Sequence, residues 1–284
     1  MTEAIRATHS RLSLKLQSAG IDNPRLDVRL LIAAATERDP QDILLHDSQI
    51  LSSQEISQVE AYVERRRCGE PVSRITGERE FWGLPYRLSA GTLDPRPDSE
   101  TLVSTSLSMM SQKANPPESI LDVGTGTGCL LLSLMTEWPE ARGVGIDIES
   151  DAVLTARQNA SFLKTANQPT FLVGNWLSSL SDRYDVIISN PPYVSSSEID
   201  NLQREVIFFD PRRALDGGPD GLTAYRQLIP ECRDHLAIGG LLVLEVGAGQ
   251  DRAVKKLLSA AGLEKIEVHP DLSGHIRCIT SWAP

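Results

Sequence analysis

The pattern of apolar and polar positions over the first seventy residues predicts a group of helices. Residues 3–19 and 26–35 place apolar side chains at helical spacing. Ser52 followed by Glu55 is typical of a capping box and predicts the start of a third helix. Because this segment contains no catalytic motif, we interpret residues 1–71 as a small helical N-terminal domain, with substrate recognition as its expected role.

The pattern changes over residues 72–94. Aromatic and apolar residues are interrupted there by glycines and a proline, which predicts a β-hairpin linker. A helix is predicted next, over about residues 98–112, with Asp98 or Ser99 as its N-cap.

From Ser119 onwards, short apolar runs alternate with amphipathic stretches. The predicted strands are 119–123, 142–147, 170–173, 184–190, 240–246, 263–269 and 275–282. The predicted helices are 128–138, 151–165, 221–236 and 250–261. This alternation predicts an α/β domain over residues 95–284, with a mostly parallel sheet covered by helices on both faces.

Composition narrows the class of protein. The 284 residues are 40% apolar and 23% charged, as in an ordinary globular chain, and the net charge of −10 disfavours direct binding to nucleic-acid phosphates. The four cysteines form no CxxC pair and the histidines lack metal-ligand spacing, so we expect reduced thiols and no metal site. With no long apolar run and no apolar leader, we expect a cytoplasmic protein without membrane contact.

The segment LDVGTGTG (121–128) leaves a predicted strand and opens a predicted helix. Glycine lets the backbone approach a ligand closely, although a plain tight turn is the alternative interpretation. The glycine spacing is one residue shorter than in the G-x-G-x-x-G of dinucleotide sites. We expect Asp122 at the mouth of the loop, where a carboxylate suits an ammonium and a sulfonium better than a pyrophosphate. The loop residues expected to bind the cofactor are Gly124, Thr125, Gly126, Thr127 and Gly128.

An acidic residue ends the second predicted strand of the α/β domain. Asp147 follows Gly128 by 19 residues, and a carboxylate at this position can accept both ribose hydroxyls of a nucleoside. Ile148 beside it can pack against an adenine ring. Together with the loop, these residues favour S-adenosylmethionine over NAD as the cofactor.

The sequence NPPY, Asn190 to Tyr193, follows directly after an apolar strand, and hence lies at the carboxyl edge of the sheet. A rigid turn is the alternative interpretation. An amide or exocyclic amine nitrogen is a poor nucleophile, and its two N–H groups can bond to the Asn190 side-chain oxygen and the Pro191 carbonyl. Such bonds strengthen as positive charge builds on the nitrogen. Pro192 and Tyr193 complete the predicted substrate site, with Tyr193 offering an aromatic face.

The chain resembles the HemK/PrmC family of protein-(glutamine-N5) methyltransferases over nearly its full length. The matching stretches are EPVSRITGEREFWGL (70–84), DPRPDSE (94–100), LDVGTGTG (121–128), GNW (174–176), SNPPYV (189–194), FDPRRALDGGPDGLTAYRQLI (209–229), LEVGAGQ (244–250) and DLSGHIR (271–277). The resemblance implies a class I, Rossmann-like methyltransferase fold with a seven-stranded sheet, behind a helical domain and a hairpin linker.

The resemblance also implies the reaction. The expected substrate is the glutamine of the Gly-Gly-Gln motif in class I peptide-chain release factors, and the expected by-product is S-adenosylhomocysteine. Trp176 and Asn190 are implied as further cofactor contacts, in a chain expected to act as a monomer. Two positions depart from the family pattern: Asp94 stands where Ile is common, and Asn175 where Asp is common before the Trp.

Alternative functions stay open on the residues alone. NPPY also occurs in DNA adenine-N6 methyltransferases, although this acidic chain lacks room for a large base-reading domain. Glutamine methylation on a ribosomal protein and a non-catalytic scaffold that binds the cofactor are further alternatives.

Several residues near the predicted site have no assigned role. We expect Arg96 and Glu100 to pair or to brace the linker, with direct substrate contact as the alternative. The polar segment 194–220 either closes over the substrate through its glycines or is a static surface loop. Arg212 and Arg213 are expected to be solvated charges, with contact to an acidic face of the partner as the alternative. Trp82 and Trp138 are expected to be packing residues.

Overall fold

The computed structural model describes residues 2–178 and 180–284. The chain divides into two compact units. The first runs up to Glu78 and also includes Arg204–Phe209; the second comprises Arg79–Gln203 and Asp210–Pro284. Within the described residues, no helix is both long and apolar enough to cross a membrane.

The first unit is built from helices around its own apolar core. The helices are Ile5–Ser18, Pro24–Thr36, Pro40–Leu45, Ser53–Arg67, Val72–Thr76 and Arg204–Phe209. Two short strands, Glu3–Ala4 and Ile50–Leu51, pair antiparallel. The predicted capping box is confirmed, because Ser52 Oγ accepts from Glu55 N at 3.2 Å and the Glu55 carboxylate accepts from Ser52 N at 2.7 Å.

Two ion pairs within the first unit surround the buried Arg66 side chain. Its side chain is 10% exposed and donates to Asp27 at 2.7 Å and to Glu205 at 2.6 Å. Asp27 lies in the second helix, whereas Glu205 lies in the distant segment 204–209. The guanidinium therefore holds residues from two separate parts of the chain in one unit, in contrast to the neighbouring Arg67, which pairs at the surface with Glu64.

The second unit contains the predicted seven-stranded sheet. In spatial order its strands are Glu264–Pro270, Ile276–Trp282, Leu236–Glu245, Tyr184–Ser189, Ser119–Val123, Arg142–Asp147 and Thr170–Val173. All neighbouring pairs are parallel except those made by Ile276–Trp282, which runs antiparallel to both of its neighbours. The expectation of a mostly parallel sheet is confirmed.

Helices cover both faces of this sheet, because its central strands are apolar on both sides. In the strand Tyr184–Ser189, Val186 and Ile188 belong to one core cluster and Ile187 to the other. The helices whose residues join the first cluster are Glu100–Met110, Cys129–Glu137 and Ser150–Leu163. Those joining the second are Thr223–His235 and Asp251–Ala260. The sequence of this unit begins at Arg79, within a two-stranded hairpin made of Glu78–Phe81 and Leu84–Arg87.

Ser99 stands at the N-cap position as predicted, but its side chain makes no capping hydrogen bond. A 3₁₀ turn, Pro97–Ser99, leads directly into the helix Glu100–Met110. The Ser99 hydroxyl donates instead to Glu245 at 2.5 Å, because a buried carboxylate competes for it. The segment expected to be a loop, 194–220, also contains the short helices Arg204–Phe209 and Arg212–Leu215.

The strand order fixes where a ligand can bind. From Ser119–Val123 the chain moves outward through the next two strands and then returns to Tyr184–Ser189 on the other side. Such a reversal opens a crevice at the carboxyl ends of the two central strands. The glycine loop begins after Val123 and NPPY begins after Ser189, so both predicted motifs lie at this point.

Candidate active site

A cavity of about 350 Å³ opens at this reversal of strand order. That volume is within the range of small-molecule sites, about 300–1,000 Å³. The predicted site residues among its lining are Gly124, Thr125, Gly126, Thr127, Asp147, Trp176, Asn190, Pro191 and Pro192. Gly128 and Tyr193 are not among the described lining residues. The structure thus brings together most of the two sequence motifs around one cavity.

The glycine loop has the backbone conformation that its sequence predicts. Gly124, Gly126 and Gly128 have φ values of 74°, 55° and 81°, in the left-handed region that favours glycine. The amide of Gly126 donates to Asp147 Oδ2 at 2.8 Å. Gly128 faces the core, where an added Cβ would lie 3.2 Å from Leu132. Its place is to start the following helix, whereas the other loop residues face the cavity.

Asp147 is held at the cavity by backbone donors. Its second oxygen, Oδ1, accepts from Glu149 N at 2.9 Å, and burial raises the pKa of the carboxyl group above its ordinary value. Each oxygen keeps a lone pair for a further donor. Ile148 is 44% exposed and lines the same cavity. This arrangement suits a nucleoside with free ribose hydroxyls.

The expectation for Asp122 is wrong. Its side chain is fully buried beneath the loop, where it accepts from Thr125 Oγ1 at 2.6 Å, and it does not line the described cavity. Side chains alternate in direction along a strand, so Asp122 points into the domain one residue before Val123 reaches the cavity. Burial raises the pKa of Asp122 to about 7. Asp122 therefore supports the loop from its buried side, through the hydrogen bond from Thr125.

Trp176 reaches the cavity in a strained backbone conformation, with φ of 52°. Its indole N–H donates to Gln227 Oε1 at 2.9 Å. Asn175, one of the two departures from the family pattern, also lines the cavity. The helix Thr223–His235 contributes Gln227 to the wall, a residue that the sequence reasoning missed because nothing in an amphipathic helix distinguishes a cavity-lining glutamine.

NPPY is anchored by three residues from two other segments. Asn190 Nδ2 donates to Ser99 Oγ at 3.3 Å, and the Tyr193 hydroxyl donates to Glu245 Oε1 at 3.1 Å. The Tyr193 carbonyl accepts from Gln250 Nε2 at 2.8 Å. The sequence predicted none of the three as an anchor of NPPY: Ser99 was expected only as an N-cap, and Glu245 and Gln250 had no assigned role, although all three lie in stretches that carry the family resemblance.

Two glycines of the segment 194–220 and its border pack against NPPY. A Cβ added to Gly217 would lie 2.8 Å from the Pro192 carbonyl oxygen, and one added to Gly221 only 2.4 Å from that of Tyr193. Backbone hydrogen bonds join Val194 to Leu215 and Gly217. Close packing accounts for these glycines, so their presence gives no support to the idea that this segment closes over the substrate.

Arg96 and Glu100 brace the surroundings through different partners. Arg96 lines the cavity and pairs with Asp210 at 2.5 Å. Glu100 accepts from the backbone N–H of Trp82 at 2.9 Å and so holds the hairpin turn. Asp94, the other departure from the family pattern, is 2% exposed and lies 3.7 Å from Arg79 and 4.0 Å from Arg96. The carboxylate that stands where Ile is common in the family therefore lies within ion-pair distance of two arginines.

The two neighbouring arginines differ in environment. Arg213 lines the cavity and pairs with Glu149 at 2.5 Å, whereas Arg212 pairs at the surface with Asp200 at 3.4 Å. Trp138 packs against the core, as expected, and so does Trp82.

Fold and cavity together define a class of enzyme. A glycine loop after the first strand, an acid at the end of the second and NPPY after the fourth surround one nucleoside-sized cavity in a seven-stranded sheet. The residues present fit S-adenosylmethionine, and the protein is an S-adenosylmethionine-dependent methyltransferase.

Comparison with known proteins gives the family. Residues 9–77 match the family model described as PrmC N-terminal domain, and residues 89–221 match the model described as methyltransferase small domain. The release factor glutamine methyltransferase of Bradyrhizobium diazoefficiens is 43% identical, over 98% of this chain and 95% of that protein. That of Rhodospirillum rubrum is 44% identical, over 93% of this chain and 81% of that protein. The chain belongs to the release factor glutamine methyltransferase family.

A solved structure supports the fold alone. The methyltransferase from Pyrococcus furiosus superposes with a TM-score of 0.51 at 15% identity, covering 80% of this chain and 98% of that one.

Proposed function

We propose that this protein transfers a methyl group from S-adenosylmethionine to the N5 side-chain amide of the glutamine in the Gly-Gly-Gln motif of class I release factors. The products are N5-methylglutamine and S-adenosylhomocysteine. The single observation that best supports this proposal is the fixed orientation of the Asn190 amide at the cavity, in a chain whose relatives carry this activity in their names.

The substrate amide sets the chemical requirement. Its nitrogen lone pair is delocalised, so the site must stabilise the positive charge that develops as the nitrogen attacks. S-adenosylmethionine, when bound, supplies a methyl group activated by a sulfonium. The rest depends on the groups that this chain places around the glutamine side chain.

Asn190 and Pro191 are the proposed acceptors. Asn190 Nδ2 is engaged by Ser99, so Oδ1 is left to accept a hydrogen bond, and no described residue donates to it. Proline contributes a carbonyl without a competing N–H. Acceptors fixed in advance stabilise the transition state more than the ground state, because the N–H groups become more acidic as charge builds.

The remaining predicted roles follow from position. We assign the cofactor's binding to Gly124–Thr127, to Asp147 for the ribose, and to Trp176 and Asn190. Gly128 supports the loop from behind. Pro192 lines the cavity, whereas Tyr193 acts from outside its lining by fixing the NPPY backbone and by its bond to Glu245.

We further propose that the enzyme works in the cytoplasm as a monomer, with the release factor as its partner and without direct contact to nucleic acid or membrane. The net charge of −10 supports the absence of nucleic-acid binding.

The test uses methyl-labelled S-adenosylmethionine with three separate acceptors: a purified class I release factor, adenine-containing duplex DNA and a mixture of ribosomal proteins. A release factor whose Gly-Gly-Gln glutamine is replaced by alanine is the matched control. We expect label on the release factor, none on the control and none on DNA. Label on DNA or on a ribosomal protein, with none on the release factor, would overturn the substrate assignment.

A further inference from the structure

A buried carboxylate lies behind NPPY, outside the described lining of the cavity. Glu245 is the last residue of the strand Leu236–Glu245 and is 2% exposed. Ser99 Oγ donates to its Oε2 at 2.5 Å and the Tyr193 hydroxyl donates to its Oε1 at 3.1 Å. The Glu245 carboxylate is therefore linked to NPPY at two residues. It is hydrogen-bonded to Tyr193 directly and to Asn190 through Ser99.

The surroundings of Glu245 act on its pKa in opposite directions, with burial the largest influence and the charge of Asp98 adding to the rise. Burial raises its pKa, while the hydrogen bonds from Ser99 and Tyr193 oppose that rise. Arg277, which pairs with Asp98 at 3.1 Å, also opposes it. Both hydrogen bonds are donated to the carboxylate oxygens, so Glu245 acts as an acceptor toward Ser99 and toward Tyr193.

The direction of these bonds decides the direction of the Asn190 amide. Since the Ser99 proton points to Glu245, Ser99 Oγ presents a lone pair to Asn190, and only the Nδ2 end of the amide can satisfy it. The Oδ1 end is then directed away from Ser99. A side-chain amide has nearly equal size at both ends, so hydrogen-bond polarity rather than shape fixes its orientation.

We infer that Glu245, through Ser99, is a positioning residue that keeps the Asn190 amide oxygen available to the substrate. If Ser99 donated to Asn190 instead, the amide would rotate and present N–H groups to a substrate that itself carries N–H groups. The inference rests on the proposed function in one respect, namely that Asn190 accepts from the glutamine amide. Tyr193 provides the second contact, which holds the NPPY segment against the same carboxylate.

The first test compares Glu245→Gln and Ser99→Ala with the wild-type enzyme in single-turnover methyl transfer to a release factor. A neutral amide at position 245 can donate to Ser99. Alanine at position 99 removes the hydroxyl that links Glu245 to Asn190. We expect the rate at saturating substrate to fall by about 10²-fold, as for the loss of one preorganised group. We expect KM for the release factor to change by less than about threefold, and Ser99→Thr to restore most of the rate because it keeps the hydroxyl.

Ser106→Ala is the matched control for the serine substitution. Ser106 is fully buried in the helix that follows Ser99, and among the described residues its hydroxyl bonds only to the Leu102 carbonyl, at 2.7 Å. We expect its rate to match the wild type. A double-mutant cycle separates this effect from general destabilisation. When Asn190 is already alanine, we expect the further substitution Ser99→Ala to lower the transfer rate hardly at all. Equal losses in both backgrounds, or wild-type rates for Glu245→Gln and Ser99→Ala, would overturn the inference.

A measurement without substrate separates this inference from the proposed function. The side-chain NH₂ resonances of Asn190 can be assigned by their loss in Asn190→Ala. We expect them to shift in Ser99→Ala and Glu245→Gln and to stay in place in Ser106→Ala. If the Asn190 resonances stay unchanged in all variants, the link from Glu245 through Ser99 to Asn190 is contradicted, even if the enzyme methylates release factors. If they shift as expected, the link is supported, even if release factors prove not to be the substrate.

Discussion

The packing of Gly221 against NPPY gives a prediction that separates local geometry from overall stability. Gly221 has φ of 71°, and a Cβ added there would lie 2.4 Å from the Tyr193 carbonyl oxygen and 2.5 Å from Gln250 Nε2. Ordinary van der Waals contact begins at 3.4 Å, so Gly221→Ala must displace the backbone at Tyr193 or the Gln250 side chain by about an ångström.

Gly262→Ala is the matched control for this substitution. Gly262 has φ of 77° in the turn before the strand Glu264–Pro270, and nothing lies within 4 Å of an added Cβ. Both variants carry the conformational cost of alanine at positive φ, about 1–2 kcal/mol. Only Gly221→Ala also moves NPPY, and a misplacement of about 1 Å can cost on the order of 10²-fold in rate.

The assay is single-turnover methyl transfer at saturating cofactor and release factor, with urea unfolding of both variants in parallel. We expect Gly262→Ala to lose stability with little change in rate, and Gly221→Ala to lose about 10²-fold in rate. If the two variants transferred methyl groups at the same rate, the reasoning that links this glycine to the geometry of NPPY would be refuted.

The remaining predictions concern buried charges. Arg66→Ala leaves the carboxylates of Asp27 and Glu205 without their cation, so we expect the first unit to lose about 3–5 kcal/mol, measured by hydrogen exchange during urea titration. Arg67→Ala is the control and should leave the stability of that unit unchanged. Equal losses of stability in the two variants would contradict the stabilising role assigned to Arg66. Burial raises the pKa of Asp122 from 3.8 to about 7, so the folded state favours the protonated form and stability falls as pH rises between these values. We expect Asp122→Asn to be more stable than wild type at pH 8, by at most on the order of 4 kcal/mol, and to lose that advantage at pH 4; a pH-independent difference would contradict this.

Local pattern was sufficient to predict most of the fold. The strands of the parallel sheet are nearly continuous apolar runs, as in Tyr184–Ser189, and the capping box at Ser52 depends only on residues three apart. Ser99 precedes its helix as predicted, but its side chain does not cap that helix, and the reason lies in a residue far along the chain. The partner that takes its hydroxyl, Glu245, lies 146 positions further along the chain, and no local rule reports a long-range competitor.

In the candidate site, too, the features that depend on local sequence were predicted and those that depend on distant residues were not. The glycine loop, Asp147 and NPPY were visible because each needs particular residue types directly after a strand. Asp122 was misplaced, because the alternation of side chains in a strand puts it beneath the loop and not at its mouth. Ser99 and Gln250 were missed as anchors of NPPY, since their roles exist only once distant segments are brought together.

The central claim is that the oxygen of Asn190 accepts a hydrogen bond from the substrate amide during transfer. The most direct measurement is the single-turnover rate of Asn190→Ala on a class I release factor at saturating cofactor. Asn167→Ala serves as the control, because Asn167 is exposed and its side chain, within the part of the chain that the structure describes, donates only to the Pro139 carbonyl. We predict that Asn190→Ala keeps its fold and loses about 10²–10³-fold in rate, while Asn167→Ala matches the wild type. A folded Asn190→Ala enzyme that transfers methyl groups at near-normal rates would contradict the account.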